Sequence, residues 1–153
     1  MRPANQDLDW RVRQCAVHEA GHAIACLTYG MPIDVAVIRH DGVDPGTVDG
    51  YVDWDGDNHA DIAIGLYAGL AAERIWLRGA RVPDSTLLEC ELSARHGDLR
   101  SARPHLRHCR LTDRQAHHGA AKLVRAHWPA VVRVAVALAN RGRLNEAQIQ
   151  RLA

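Results

Sequence analysis

A chain of 153 residues with 47% hydrophobic and 24% charged side chains has the composition of a folded protein, and it is long enough to bury a core without disulfide support. Its net charge of +1 carries no global signal for nucleic acid, no segment approaches the ~18 uninterrupted apolar residues of a membrane span, and Met1 to Asp7 lack the apolar stretch of a signal peptide. Residues 1–83 hold 7 Lys and Arg against 12 Asp and Glu, residues 84–153 hold 12 against 6, and the basic half reads more readily as solvated Arg on helices than as a surface for an anionic partner. Cys15, Cys26, Cys90 and Cys109 form no CxxC pair, so a reduced, cytoplasmic protein is expected.

In chain order, residues 9–29 read as a helix capped by Asp9 and stopped by Gly30, Met31 and Pro32. It is apolar on almost every side, which predicts burial; residues 1–8 before it are expected to be flexible. Residues 33–38 and 46–54 alternate as strands on either side of a turn rich in Asp, Gly and Pro, and predict a hairpin. Helical period returns over residues 59–78, where Ile62, Leu66, Gly69, Leu70, Glu73 and Leu77 form one stripe. Residues 79–97 read as irregular or partly helical. A short helix starts near Asp98 and is limited by Pro104. Residues 113–128 and 130–141 are helical, with Pro129 opening the second. Asn145 starts a last helix with Gln148 as its capping-box partner.

The chemistry concentrates in His18-Glu19-Ala20-Gly21-His22, an HExxH motif. Residues four apart on a helix face the same way, so the two imidazoles can bind one ion while Glu19 lies beside them as a general base. Two His and a Glu on an apolar helix are costly to bury without partners. Cys15 and Cys26 share the face but cannot join the same ion: eleven residues at about 1.5 Å rise separate them by roughly 16 Å. A catalytic zinc needs a third protein ligand and an open position. Glu73, Glu89, Glu91, His96 and Asp98 are the downstream candidates, and spacing does not choose among them.

Three segments together resemble the peptidase domain of FtsH-type AAA+ zinc proteases. His18-Glu19-Ala20-Gly21-His22-Ala23 matches the family's HEAGHA. Tyr67 to Ile75 resembles its AGRxAEE helix, and Ser93 to Leu99 its GASNDL segment. The last helices are similar as well, so the resemblance runs over roughly residues 10–153. It implies that Asp98 is the third zinc ligand and that Glu73 supports a ligand from behind, as an acceptor for a histidine N–H. Arg74 stands where the family has a second Glu, and Gly97 where it has Asn. No GxxxxGK[ST] phosphate loop occurs in the chain, so ATP-driven unfolding does not carry over.

The expected fold is therefore mainly α with a small β-hairpin or sheet, an α+β class. It comprises a zincin-like HExxH helix and a C-terminal helical part over 105–153, in one domain spanning 1–153. The expected activity is hydrolysis of unfolded or flexible polypeptides by an ATP-independent metalloendopeptidase. It would use one catalytic Zn2+ on His18, His22 and Asp98, with Glu19 as general base. A separate unfoldase or a homo-oligomer are the implied partners; no nucleic acid and no membrane segment are expected. The alternatives are a non-catalytic zinc-binding or protein-interaction module on the same fold, which has no use for Glu19, and a different zinc hydrolase such as an amidase.

Other features weigh less. Asp53-Trp54-Asp55-Gly56-Asp57 has the wrong Gly register for a calcium loop and Ile64 where Glu belongs. His105, His108 and Cys109 read as surface residues rather than a second metal site, His117 and His118 have no assigned role, and Trp54, Trp76 and Trp128 read as packing residues.

Overall fold

A computed structural model describes residues 4–153, with the side chains of Ala4, Asn5, Arg95 and His96 left out of the description. Seven helices and three strands follow in order: α1 Ala4–Thr28, β1 Ile33–Arg39, β2 Asp49–Trp54, α2 His59–Gly79, α3 Asp84–His96, α4 Asp98–Cys109, α5 Asp113–Ala126, α6 Trp128–Arg141, β3 Arg143–Asn145 and α7 Glu146–Leu152. The architecture is mainly helical with a small antiparallel sheet, the α+β class expected. None of the described helices is long and apolar enough to cross a membrane.

The centre of the molecule is the contact between α1 and α2, and it is built from small residues. A Cβ on Gly21 would lie 2.5 Å from the carbonyl oxygen of Ala68 and 2.8 Å from Cβ of Ala72. The two helices approach so closely because only hydrogen stands at that point. Ala16, Ala20 and Ala23 on α1 and Ala68 and Ala72 on α2 are fully buried. α1 also packs on α6, and α2 on α4 and α5, so every long helix buries one face against this pair.

The sheet order is β2-β1-β3, with β1 antiparallel to both neighbours. Its central strand buries Val35, Ala36, Val37 and Ile38 together. β2 alternates exposed and half-buried residues, with Asp49, Tyr51 and Asp53 outward. Among the described residues β2 pairs only with β1, so its outer edge has no strand partner.

Five expectations change at the level of the backbone. Helix α1 does not begin at Asp9: residues 4–8 are already helical, and Asp9 lies inside the helix, paired with Arg13 one turn on at 3.0 Å. Leu8 packs against the core, which anchors the extra turn; residues 1–3 lie outside the described residues. The second strand starts at Asp49 rather than 46. Pro45–Thr47 instead form a 3-10 turn capped by the Asp44 side chain, which accepts from the Gly46 N–H. Residues 84–96 form a full helix. α4 continues through Pro104, because its stripe of Leu99, Ala102 and Leu106 is buried and offsets the missing N–H. Residues 143–145 pair with β1 as a third strand. Gly142, at φ 73°, ends α6 in the left-handed region and turns the chain into that strand.

The cap of α7 is as expected, with Asn145 and Gln148 forming a reciprocal capping box. The Trp10 and Trp76 rings meet between α1 and α2 with centroids 4.5 Å apart and a tilt of 34°.

Candidate metal centre

His18 and His22 lie on the side of α1 that meets α2. Their Nε2 atoms are 3.1 Å apart, and Asp98 Oδ2 is 2.9 Å from each. Among the described residues these three form a group whose ligand atoms all lie within 4.8 Å of one another. Asp98 arrives because the chain turns at Gly97, which ends α3 and precedes the first residue of α4. A carboxylate in a first helical turn is also favoured by the helix dipole.

The opposite ring nitrogens settle what the three atoms can accept. His22 Nδ1 is 2.8 Å from the carbonyl oxygen of Gly65. A carbonyl only accepts, so this Nδ1 carries the proton and Nε2 offers a lone pair. His18 Nδ1 is 3.0 Å from Glu73 Oε2 and donates to it in the same way. Two lone pairs and a carboxylate oxygen therefore converge without a donor of their own, and only positive charge fits between them.

A divalent ion suits this set. Ligands at about 2.0–2.1 Å on a tetrahedral ion stand about 3.3 Å apart, a few tenths of an ångström from the spacing here. The support for the rings continues into α2. A Cβ on Gly69 would lie 2.5 Å from His22 Nε2 and 2.6 Å from His18 Nε2, so the imidazoles occupy a notch that only glycine leaves open. Two His and one carboxylate are ligands for zinc or ferrous iron.

The electrostatics point the same way. Burial disfavours the charged form of His18, but hydrogen bonds to Asp98 and Glu73 outweigh it and raise its pKa well above the ordinary range. Burial likewise opposes charge on His22, and the Asp98 carboxylate overcomes it and raises its pKa. Asp98 is pushed up by burial yet held well below the usual carboxylate range by the charge of His22 and by hydrogen bonds from both rings. The surrounding carboxylates thus favour positive charge at the ring pair.

Glu73 does not pair with Arg74 or Arg78. Burial raises its carboxyl, but the His18 bond outweighs this and lowers it below its ordinary value. Its second oxygen accepts from Gln14 Nε2 at 2.5 Å, and that amide also reaches Cys90 Sγ at 3.2 Å. Gln14 is 5% exposed, and its own oxygen accepts from Arg11 at 3.1 Å. Gln14, Gly65 and Gly69 are the residues that sequence reasoning missed. Gln14 lies one turn before His18 on an apolar helix, and that position was the readable sign of a buried partner.

Glu73→Gln is expected to weaken metal affinity about 10–100-fold, the usual loss when the group behind a ligand is removed. Gln14→Leu is expected to give a smaller loss in the same direction, because Glu73 remains. Competition with a chromophoric chelator measures both; unchanged affinity in Glu73→Gln would deny Glu73 its orienting role.

Glu19 is 6% exposed and has no hydrogen-bond partner among the described residues. Burial raises its carboxyl above the ordinary value, with the charges of His22 and His18 pulling the other way. Beside it opens a cleft of about 560 Å3, with α1 as its floor, the start of β2 on one wall and α3 on the other. The β2 backbone comes close here: a Cβ on Gly50 would meet Cys15 Sγ at 2.8 Å and Glu19 Cγ at 2.9 Å.

The remaining candidates go elsewhere. Glu91 pairs with Arg74. Glu89 is exposed on the α3 wall of the cleft. The His96 side chain lies outside the described residues. Cys26 is fully buried and Cys15 half-buried; burial, with the nearby Glu19, Asp49 and Glu73 carboxylates adding to it, pushes the Cys15 thiol up to about 12. His105 and His108 meet His59 rather than Cys109: His105 Nδ1 is 2.8 Å from His59 Nδ1, and His108 stacks on His59 at 4.3 Å.

No protein-family model matches this chain, and no curated protein is significantly similar to it.

Proposed function

We propose that the chain is a zinc metallopeptidase that hydrolyses unfolded or flexible polypeptides, akin to the peptidase domain of FtsH-type proteases. One observation carries the reading. Two imidazole lone pairs and the Asp98 carboxylate converge within 3.1 Å of one another, next to a buried glutamate without a hydrogen-bond partner among the described residues, at the floor of an open cleft. The same His pair with a merely structural role would leave Glu19 an uncompensated desolvation cost.

His18, His22 and Asp98 would hold a zinc ion, which when bound would supply Lewis acidity toward a carbonyl and lower the pKa of water to about 7. Everything else is done by side chains of this chain. The Glu19 carboxylate takes the proton of the attacking water and returns it to the departing amine. Glu73 and the Gly65 carbonyl keep the Nδ1 protons in place, so both Nε2 atoms stay aimed at the ion. A substrate lies extended along the unpaired edge of β2 and adds as a strand through main-chain hydrogen bonds. A separate unfoldase, or further copies of the chain, would deliver unfolded substrate.

The test is removal and return of the metal. Purified protein is expected to cleave an unfolded substrate, to lose that activity on dialysis against a chelator, and to regain it with one equivalent of Zn2+. Cleavage indifferent to chelation, or a protein that retains no zinc, would overturn the reading.

A further inference from the structure

The walls of the cleft carry an uneven charge that the peptidase chemistry does not use. From residue 40 to residue 72 the chain has seven Asp and no Lys or Arg. Two of these, Asp49 and Asp53, are exposed on the outward face of β2, the strand whose edge is free beside the cleft. Asp49 lines the cleft, and its charge is felt at Glu19 and at Cys15. On the facing wall, Glu89 of α3 is exposed and has no ion pair among the described residues.

Among the described side chains, little positive charge stands against them, and Arg11 is the one Arg or Lys that lines the cleft. Arg39 pairs with Asp49 at 2.7 Å, but both side chains are more than 60% exposed; such a pair is worth little and exchanges readily with another cation. Carboxylates alone would define no ligand. Here Asp49 and Glu89 border a cavity of about 560 Å3 into which Glu19, only 6% exposed, turns a carboxylate that has no hydrogen-bond partner among the described residues. A cleft with low-dielectric walls and one sign of charge concentrates ligands of the opposite sign.

We propose that this cleft selects extended polypeptide segments that carry Lys or Arg, read by Asp49 on the β2 wall, by Asp53 farther along the same strand beyond the cleft, and by Glu89 on the α3 wall. The proposal rests on the peptidase reading only in taking an extended polypeptide as the occupant. A segment on the β2 edge runs past Asp49 and Asp53, four residues apart on one face of the strand with Tyr51 between them. Side chains four residues apart on the segment therefore meet both carboxylates, while acidic segments meet like charge on both walls.

The experiment uses the full chain as Glu19→Gln, loaded with zinc, so that binding is read without turnover. Fluorescent peptides that differ only in carrying Lys, Gln or Glu at the same positions are titrated by anisotropy. The Lys peptide is expected to bind about tenfold more tightly than the Gln peptide at low salt, with the Glu peptide weakest. That advantage is expected to fade as NaCl rises from about 20 to about 500 mM, and to vanish when Asp49→Asn, Asp53→Asn and Glu89→Gln are combined with Glu19→Gln. Equal affinities, a reversed order, an advantage that survives the triple replacement, or no binding of any peptide overturns it. Turnover by the wild type separates the two claims. Cleavage of all three peptides alike removes the charge selectivity and keeps the peptidase. Selective binding of the Lys peptide with no cleavage removes the peptidase and keeps the selectivity.

Discussion

Glu19→Gln is expected to keep zinc bound and to lower peptide cleavage by roughly 10²–10⁴-fold, the contribution of a positioned general base. The replacement conserves shape and leaves His18, His22 and Asp98 untouched. It removes the one carboxylate next to them that is not already committed: Asp98 bonds both rings, and Glu73 is held by His18 and Gln14. No neighbouring group can take over the proton. Fold stability is expected to hold or rise slightly, because a buried carboxyl whose ionisation is opposed by desolvation is replaced by a neutral amide. Metal content measured alongside kcat decides the matter. A zinc-loaded Glu19→Gln with undiminished turnover would sink the mechanism, and loss of zinc would show that Glu19 serves the site's integrity instead.

Gly69→Ala is expected to abolish tight metal binding and to destabilise the protein by about 1–3 kcal/mol, the cost of forcing a methyl into a packed interior. The added carbon would lie 2.5 Å from His22 Nε2, 2.6 Å from His18 Nε2 and 2.7 Å from His22 Cε1. Those rings cannot retreat, since each is tied through Nδ1 to Gly65 or Glu73. Relief must come from rotating the imidazoles away from Asp98 or from parting α1 and α2, which Gly21 brings into contact over Ala68 and Ala72. Gly79→Ala is the control: it lies at the end of the same helix, nothing stands within 4 Å of its Cβ position, and metal affinity should not change. Zinc affinity and Tm measured on the pair give the answer. A Gly69→Ala protein that binds zinc like the wild type would show that the rings sit elsewhere in solution.

Helix boundaries and local caps were legible wherever the signal was local. The helix over 59–78 and the Asn145–Gln148 capping box follow from periodicity and from side chains three residues apart. Elements held by distant partners were not. Residues 143–145 are too short to show alternation and become a strand only because β1 offers its second edge. Pro104 looked like a stop, and the burial of Leu99, Ala102 and Leu106 carried the helix past it. The orienting group behind His18 was half legible: Glu73 stood out on an apolar stripe, whereas its bond to Gln14, 59 residues away in sequence, did not.

What the amino-acid order determined by itself is a rigid pair of imidazoles with a glutamate between them, because one helical turn aligns positions four apart whatever surrounds them. It also determined the class of fold, since hydrophobic period is a local property. The third carboxylate was for the tertiary structure to decide. Glu73, Glu89, Glu91 and Asp98 are equally admissible by spacing, and only the close approach of α1 to α2 and the turn at Gly97 bring Asp98 Oδ2 to 2.9 Å of both rings while directing Glu73 to the far side of His18. Contacts across 55 to 80 residues of chain depend on how helices pack, and packing is set by which faces are small, which no single stretch of sequence reveals.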